Sequence, residues 1–210
     1  MKPLELLVSR GRSPLGPPVS VDLGAGLAGE LSALLAHTNG FTVFNAGVQV
    51  FHAGDEGLGP ELGAWNAADT WRHTYGPLTD GLYFFGQDLF GVQFAIEDGR
   101  RVCTFDPETG DRETIAGSLD DWADWLLVAP DERGARTFAK RWQDRHGALA
   151  HDERLLPRTL FVLGGEYEED NLAVRDAVTC MRIRGPIARQ LHDLPDGVPI
   201  RLDPVDPHGS

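Results

Sequence analysis

Residues 81–116 constrain this chain most, because they spell a strand, a tight hairpin and a second turn in direct succession. Phe90, Val92, Phe94 and Ile96 alternate with Gly91, Gln93, Ala95 and Glu97, the period of two expected of a strand with one buried face. Asp98-Gly99 supplies the two positive-φ positions of a type I′ turn, which pairs Glu97 with Arg100. Counting back from that turn sets Arg101 opposite Ile96, Cys103 opposite Phe94 and Phe105 opposite Val92, and predicts a buried Cys103. Asp106-Pro-Glu-Thr-Gly110 then closes a turn into a third strand over 111–116, with room for a bulge in its register. Ser118 reads as an N-cap and Asp120 and Asp121 as first-turn acids, ahead of an apolar stripe of Leu119, Trp122, Ala123 and Leu126.

Around this segment the pattern is mixed. Leu4 to Val8 reads as a short strand, followed by a Pro- and Gly-rich loop over 11–18. Leu23, Leu27, Leu31, Leu34 and Leu35 share a helical face that stops at Asn39-Gly40, and short strands follow on either side of Asn45-Ala46. A helix is predicted from Glu61 to Tyr75, ended by Gly76-Pro77. Another runs from Asp131 to His146, with Ala135, Phe138, Ala139 and Trp142 inward and Arg133, Arg136, Lys140 and Arg141 on a basic face. Residues 148–157 read as a linking loop, Arg158 to Leu163 as a strand, Gly164-Gly165 as a turn, Ile183 to Leu191 as a helix interrupted at Gly185-Pro186, and Val198 to Leu202 as a last strand before a frayed tail. The fold class expected is α+β, an antiparallel sheet packed against helices over residues 1–130. An α/β extension over 131–210 is expected to pack on the same core.

At 210 residues the chain is long enough to bury a core without metal or disulfide staples. Met1-Lys2-Pro3 leads into no leader-like run, and no apolar stretch approaches the roughly 20 residues of a membrane span. A soluble, cytoplasmic protein is expected. Cys103 and Cys180 are too few for a disulfide framework and read as small buried thiols.

The net charge of −13 is distributed unevenly. Residues 54–96 hold six acids against one base, and residues 97–132 hold eleven against three, whereas the two ends of the chain are each neutral. A field of that sign repels nucleic acid and anionic membrane and steers basic partners toward it; its bland reading is solubility.

Two segments, Leu31 to Phe51 and Trp71 to Leu127, resemble the SUKH superfamily, which takes in the yeast cell-wall regulators of the Smi/Knr type and many bacterial immunity proteins. The features that carry the resemblance are a leucine-rich helix ending in Asn39-Gly40 with apolar strands after it, and a Trp/Tyr element before Gly81-Leu-Tyr-Phe-Phe-Gly-Gln-Asp88. Phe90-Gly91 then leads into the hairpin and Phe105-Asp-Pro-Glu-Thr-Gly110. About half the chain is covered, and the last 70 or so residues fall outside it. The resemblance implies a protein-binding module, most often an immunity protein or antitoxin that neutralises a toxin, commonly one directed at nucleic acid.

Candidate partner-contacting residues are Trp65, Trp71, Asp88, Glu108, Asp120, Asp121, Asp124, Glu168 and Glu169. Trp65 and Trp71 are six apart and off one helical face, which leaves room for one inside and the other at a surface, though core packing is the stronger reading for both. Helix electrostatics accounts for Asp120 and Asp121 without a partner, whereas Asp124 lacks such a reason. The run Glu166 to Asp170 lacks the spacing and glycine of a calcium loop and reads as a solvated loop. The seven histidines include no His-x-x-x-His pair, and no catalytic elbow, phosphate loop or dinucleotide fingerprint is present. No cofactor, metal or catalytic residue is assigned.

The function expected is therefore a non-enzymatic immunity protein binding a basic toxin through an acidic face, without nucleic acid or membrane as partner. Three alternatives stand beside it: a regulatory scaffold with several partners, a small hydrolase using carboxylates such as Glu166 and Asp170, and an acidic mimic of nucleic acid.

Overall fold

Six strands form one antiparallel sheet in chain order: β1 (Phe41–Val43), β2 (Val48–Val50), β3 (Leu82–Asp88), β4 (Gln93–Glu97), β5 (Arg101–Phe105) and β6 (Arg112–Ala116). The computed structural model describes residues 1–192 and 194. The helices are α1 (Pro3–Ser9), α2 (Leu27–His37), α3 (Leu62–Asn66), α4 (His73–Tyr75), α5 (Leu119–Val128), α6 (Arg136–His146) and α7 (Ala177–Leu191), and a two-stranded sheet of β7 (Glu153–Pro157) and β8 (Leu172–Asp176) lies near the C-terminus. The protein is α+β, as expected.

The central hairpin keeps its predicted turn but not its predicted register. Asp98 (φ 50°) and Gly99 (φ 69°) are both left-handed, and Arg100 N–H donates to Glu97 O at 3.0 Å, so the type I′ turn forms. Arg100 is then left over as an extra residue, and the ladder starts at Glu97↔Arg101. Cys103 consequently faces Ala95 rather than Phe94, and Phe105 faces Gln93 rather than Val92. A slip of one residue sends each side chain to the other face. Both residues stay fully buried because the sheet is covered on both faces, not on one. Trp122 of α5 packs edge-on to Phe85 and Phe94 on one side. On the other, Phe84 and Phe105 meet Trp71 and Tyr75.

Strand β6 pairs with β5 through a bulge between Val102 and Cys103. Helix α5 is capped as expected, the Ser118 side chain accepting from Asp121 N–H.

Other expectations are corrected. Leu4 to Val8 lies in α1 rather than a strand: Pro3 occupies the first helical turn, where its missing N–H costs nothing, and Glu5 accepts from Lys2 N–H at 3.1 Å. The predicted helix over 61–75 is broken at Ala67 (ψ 139°), then continues as a π turn over Ala68–Arg72 and α4. This break rotates the second half, so Trp65 and Trp71 both point into the core with ring centroids 5.6 Å apart. Helix α6 starts five residues later than expected, at Arg136, because Asp131 ties down the preceding turn by accepting from Thr137 N–H at 2.8 Å.

Beyond α6, the expected loop holds β7, and the expected strand over 158–163 is instead a bend leading into a 3₁₀ turn, Phe161–Leu163. Strand β8 escaped sequence reading. Helix α7 runs through Gly185-Pro186 without a break: its Ala177, Met181 and Ala188 join the main core, and this burial outweighs the local cost of the proline, about 3 kcal/mol. The expected strand at Val198 to Leu202 and the frayed tail lie outside the described residues. A second, smaller core gathers Leu89, Ala139, Trp142, Leu155 and Leu172 under α6 and the small sheet.

Asn39 shows how the stop signal after α2 is used. Its buried amide donates to Pro17 O (2.7 Å) and Ala53 O (2.9 Å) and accepts from Ala53 N–H (2.8 Å), joining three chain segments. Asn39→Ala should therefore lower stability by about 2–3 kcal/mol, since it strands buried backbone groups; the urea midpoint measures it.

Candidate binding cleft

At one end of the sheet, β3 turns into β4 through 89–92 and β5 turns into β6 through 106–111, and here the C-terminal segments leave a cleft of about 690 Å³. The Asp88 carboxylate organises the first turn, its Oδ1 accepting from Phe90 N–H (2.9 Å) and Val92 N–H (2.8 Å). Asp106 organises the second, accepting from Glu108 N–H at 2.7 Å. That turn delivers Glu108, only 4% exposed, to the cleft wall, where its Oε2 accepts from Val162 N–H at 2.9 Å. Its Oε1 is buried and makes no hydrogen bond among the described residues, although the Phe161 N–H exerts a weaker pull on the same carboxylate.

A buried cation is built into the site. Arg184 of α7, 1% exposed, donates to Phe90 O (2.7 Å) and Cys180 O (3.1 Å) and makes no ion pair among the described residues. Gly91, at φ 86°, makes room for it: a Cβ there would lie 2.5 Å from Nη2. Behind the turn lies a buried polar row, in which Gln49, Gln87 and Gln93 are aligned across β2, β3 and β4. Gln49 Oε1 accepts from the buried Arg154, and the Gln87 oxygen, turned toward that guanidinium, accepts from its Nε at 3.2 Å. Trp65 Nε1 donates to Gln93 Oε1 at 2.9 Å.

The adjoining wall is aromatic. Phe161 and Tyr167 stack at 3.7 Å, with Phe90 edge-on to both. Val162, Leu163 and Tyr167 stand exposed beside it, Tyr167 at 59%. Arg133 lies over Trp125 at 4.6 Å, and Arg141 over Phe138 at 5.0 Å.

Electrostatically the cleft is an acidic site held at some cost. Burial raises the Asp88 carboxyl to about 6, against the pull of the Val92 and Phe90 N–H groups and of Arg184 and Arg154. Burial also raises Glu108. The Tyr167 phenol is pushed up by burial and then by Asp88, Asp106 and Glu108, so these three carboxylates share one field. Raised carboxyls in a cleft are a mark of a functional site.

Of the candidate residues read from the sequence, the structure brings Asp88 and Glu108 together here. Trp65 and Trp71 are corrected from surface candidates to core residues, at 2% and 0% exposed. Asp120 holds the start of α1, accepting from Leu4 N–H at 3.2 Å, with Lys2 Nζ 3.4 Å away; Asp121 caps α5 together with Ser118. Asp124 is exposed and outside the cleft. Glu168 and Glu169 line a separate hollow with Arg141 and Arg145. There Glu169 is held below the usual carboxylate range: slight burial opposes this, but hydrogen bonds from His146, Arg145 and Arg141 prevail. Among the described residues no three His, Cys, Asp or Glu side chains gather to hold a metal ion, and no helix is long and apolar enough to cross a membrane.

Sequence reading missed Arg184, Phe161 and Tyr167. Their one signal was a tyrosine inside an acidic run.

No family model matches the chain, and no curated protein does. Among solved structures it is similar to Atu4351 from Agrobacterium tumefaciens, with a TM-score of 0.53 at 14% identity, covering 85% of this chain and 86% of that one. The likeness shows a shared fold.

Proposed function

We propose that this protein is a binding module of the immunity type, which neutralises a basic partner protein by holding part of it in the acidic cleft. One observation carries the reading: the acidic middle of the chain supplies every carboxylate of the cleft. Asp88, Asp106, Glu108, Glu113, Asp131 and Glu132 line it, against Arg133 and Arg184. The concentration of charge seen along the sequence is thus also a concentration in space. Acids arranged in a concave site with an exposed apolar rim suit an inserted segment better than they suit solvation alone. The SUKH resemblance points the same way.

Capture from the native host at low and at high salt tests this. A basic protein should be retained at low salt and lost as salt rises, since screening weakens charge steering, and Asp88→Asn with Glu108→Gln should abolish retention. Retention indifferent to both changes would overturn the reading.

A second reading, a carboxylate-dependent hydrolase, is favoured by the two raised carboxyls. It shifts from Glu166 and Asp170, which are both exposed, to Asp88 and Glu108. Turnover lost in Glu108→Gln but unaffected by salt would select it over binding.

A further inference from the structure

We propose that the cleft seats an arginine side chain of the partner, its guanidinium held between the aromatic wall of Phe90, Phe161 and Tyr167 and the carboxylates of Asp88 and Glu108. This rests on the binding reading and names its ligand. The two carboxylates are short of hydrogen-bond donors. Glu108 Oε1 is buried without a full hydrogen bond among the described residues, the Phe161 N–H supplying only a weaker pull, and a buried acceptor left short of a partner is costly. Asp88 spends Oδ1 on two backbone N–H groups, and no hydrogen bond from the described residues reaches its Oδ2. Arg184 does not fill this role. Its donors go to the carbonyls of Phe90 and Cys180, and Arg154, which also pulls on Asp88, donates to Gln49 and Gln87 instead, so neither acid is ion-paired among the described residues.

The missing group must bring several donors and a positive charge. A guanidinium supplies both in a planar fork that matches a carboxylate, and it stacks on aromatic rings more readily than an ammonium does. The stacked faces of Phe161 and Tyr167 offer such a surface beside Glu108, and Tyr167 is open to the outside. The chain makes the same pairing twice at the cleft's edge, with Arg133 on Trp125 and Arg141 on Phe138. Exposed Val162 and Leu163 would contact the partner's backbone on either side of the inserted residue.

The test uses a labelled hexa-arginine peptide and a hexalysine peptide, with binding read by fluorescence anisotropy on the full chain. Hexa-arginine should bind about tenfold tighter than hexalysine, and Glu108→Gln should weaken it about tenfold, or ~1.4 kcal/mol. Tyr167→Ala, at an exposed position that does not endanger folding, should weaken it by about fivefold through loss of stacking. Asp124→Asn removes the same charge outside the cleft and should cost less than about twofold, the size of a screened surface charge. Equal losses in Glu108→Gln and Asp124→Asn, or equal binding of the two peptides, would mean long-range attraction alone and overturn the proposal. A captured host protein whose binding survives both Glu108→Gln and Tyr167→Ala would reject the arginine seat while leaving the binding reading intact. Absence of any captured protein would count against the binding reading, and the peptides would still decide the seat.

Discussion

Trp71→Ala is expected to destabilise the protein by about 3–5 kcal/mol, the range for truncating a large buried aromatic. The indole is fully buried, with Trp65, Tyr75 and Phe84 ring centroids at 5.6, 5.4 and 4.9 Å. Removing it opens a hole between the sheet and the broken helical segment, against which α7 also packs. The neighbours are rings held from several directions, so the gap cannot collapse cheaply. Equilibrium urea unfolding followed by fluorescence of the remaining tryptophans measures the loss. A change below about 1 kcal/mol, the scale of an exposed position, would show that this face is not the centre of the core.

Asp88→Asn is expected to act in the opposite direction, and only at neutral pH. The carboxyl has an ordinary value of 3.8 and a folded value of about 6, so the folded protein binds this proton more tightly than the unfolded chain does. The stability it contributes is complete below the ordinary value and is lost as pH rises through about 6. Roughly two pK units correspond to about 3 kcal/mol. Asparagine keeps the oxygen that accepts from Phe90 and Val92 but has no charge to desolvate. The variant should match the parent near pH 4 and exceed it by up to about 3 kcal/mol at pH 7.5. Urea midpoints at the two pH values check this, and parallel pH profiles would refute it. If the variant is also the one that loses the partner, stability has been given up at Asp88 in favour of binding, as functional sites often require.

Local chemistry was legible wherever a few adjacent residues decide it. Asp98-Gly99 makes its turn, Ser118 caps its helix, Asn39-Gly40 stops α2 and Asp106-Pro107 turns the chain. Reading failed where the choice depended on something distant. The register of β4 against β5 turned on a single extra residue, Arg100, which no periodicity marks. Leu4 to Val8 is too short for its period to separate helix from strand, and the Pro3 and Glu5 cap decided it. The break at Ala67 leaves no proline or glycine as a sign, and it put both tryptophans in the core.

The same division holds for the site. Glu108 stood in a recognisable turn over 106–110, whereas the turn after Asp88 went unread, and Arg184 comes near both only because α7 packs back onto the core some 76 residues beyond Glu108. Phe161 and Tyr167 belong to a segment that carries no periodicity at all.

By itself, then, the sequence determined the α+β class, the turns and caps, and the gathering of negative charge in residues 54–132. The tertiary structure alone decided which face each strand residue took, that both faces were covered, and that the acids would converge with an arginine and an aromatic wall. The physical reason is one of range. Backbone dihedral preferences and side-chain periodicity act over a few residues. Register, burial on both faces and the meeting of Asp88, Glu108 and Arg184 are set by packing between segments far apart in the chain, where only the folded core selects among alternatives.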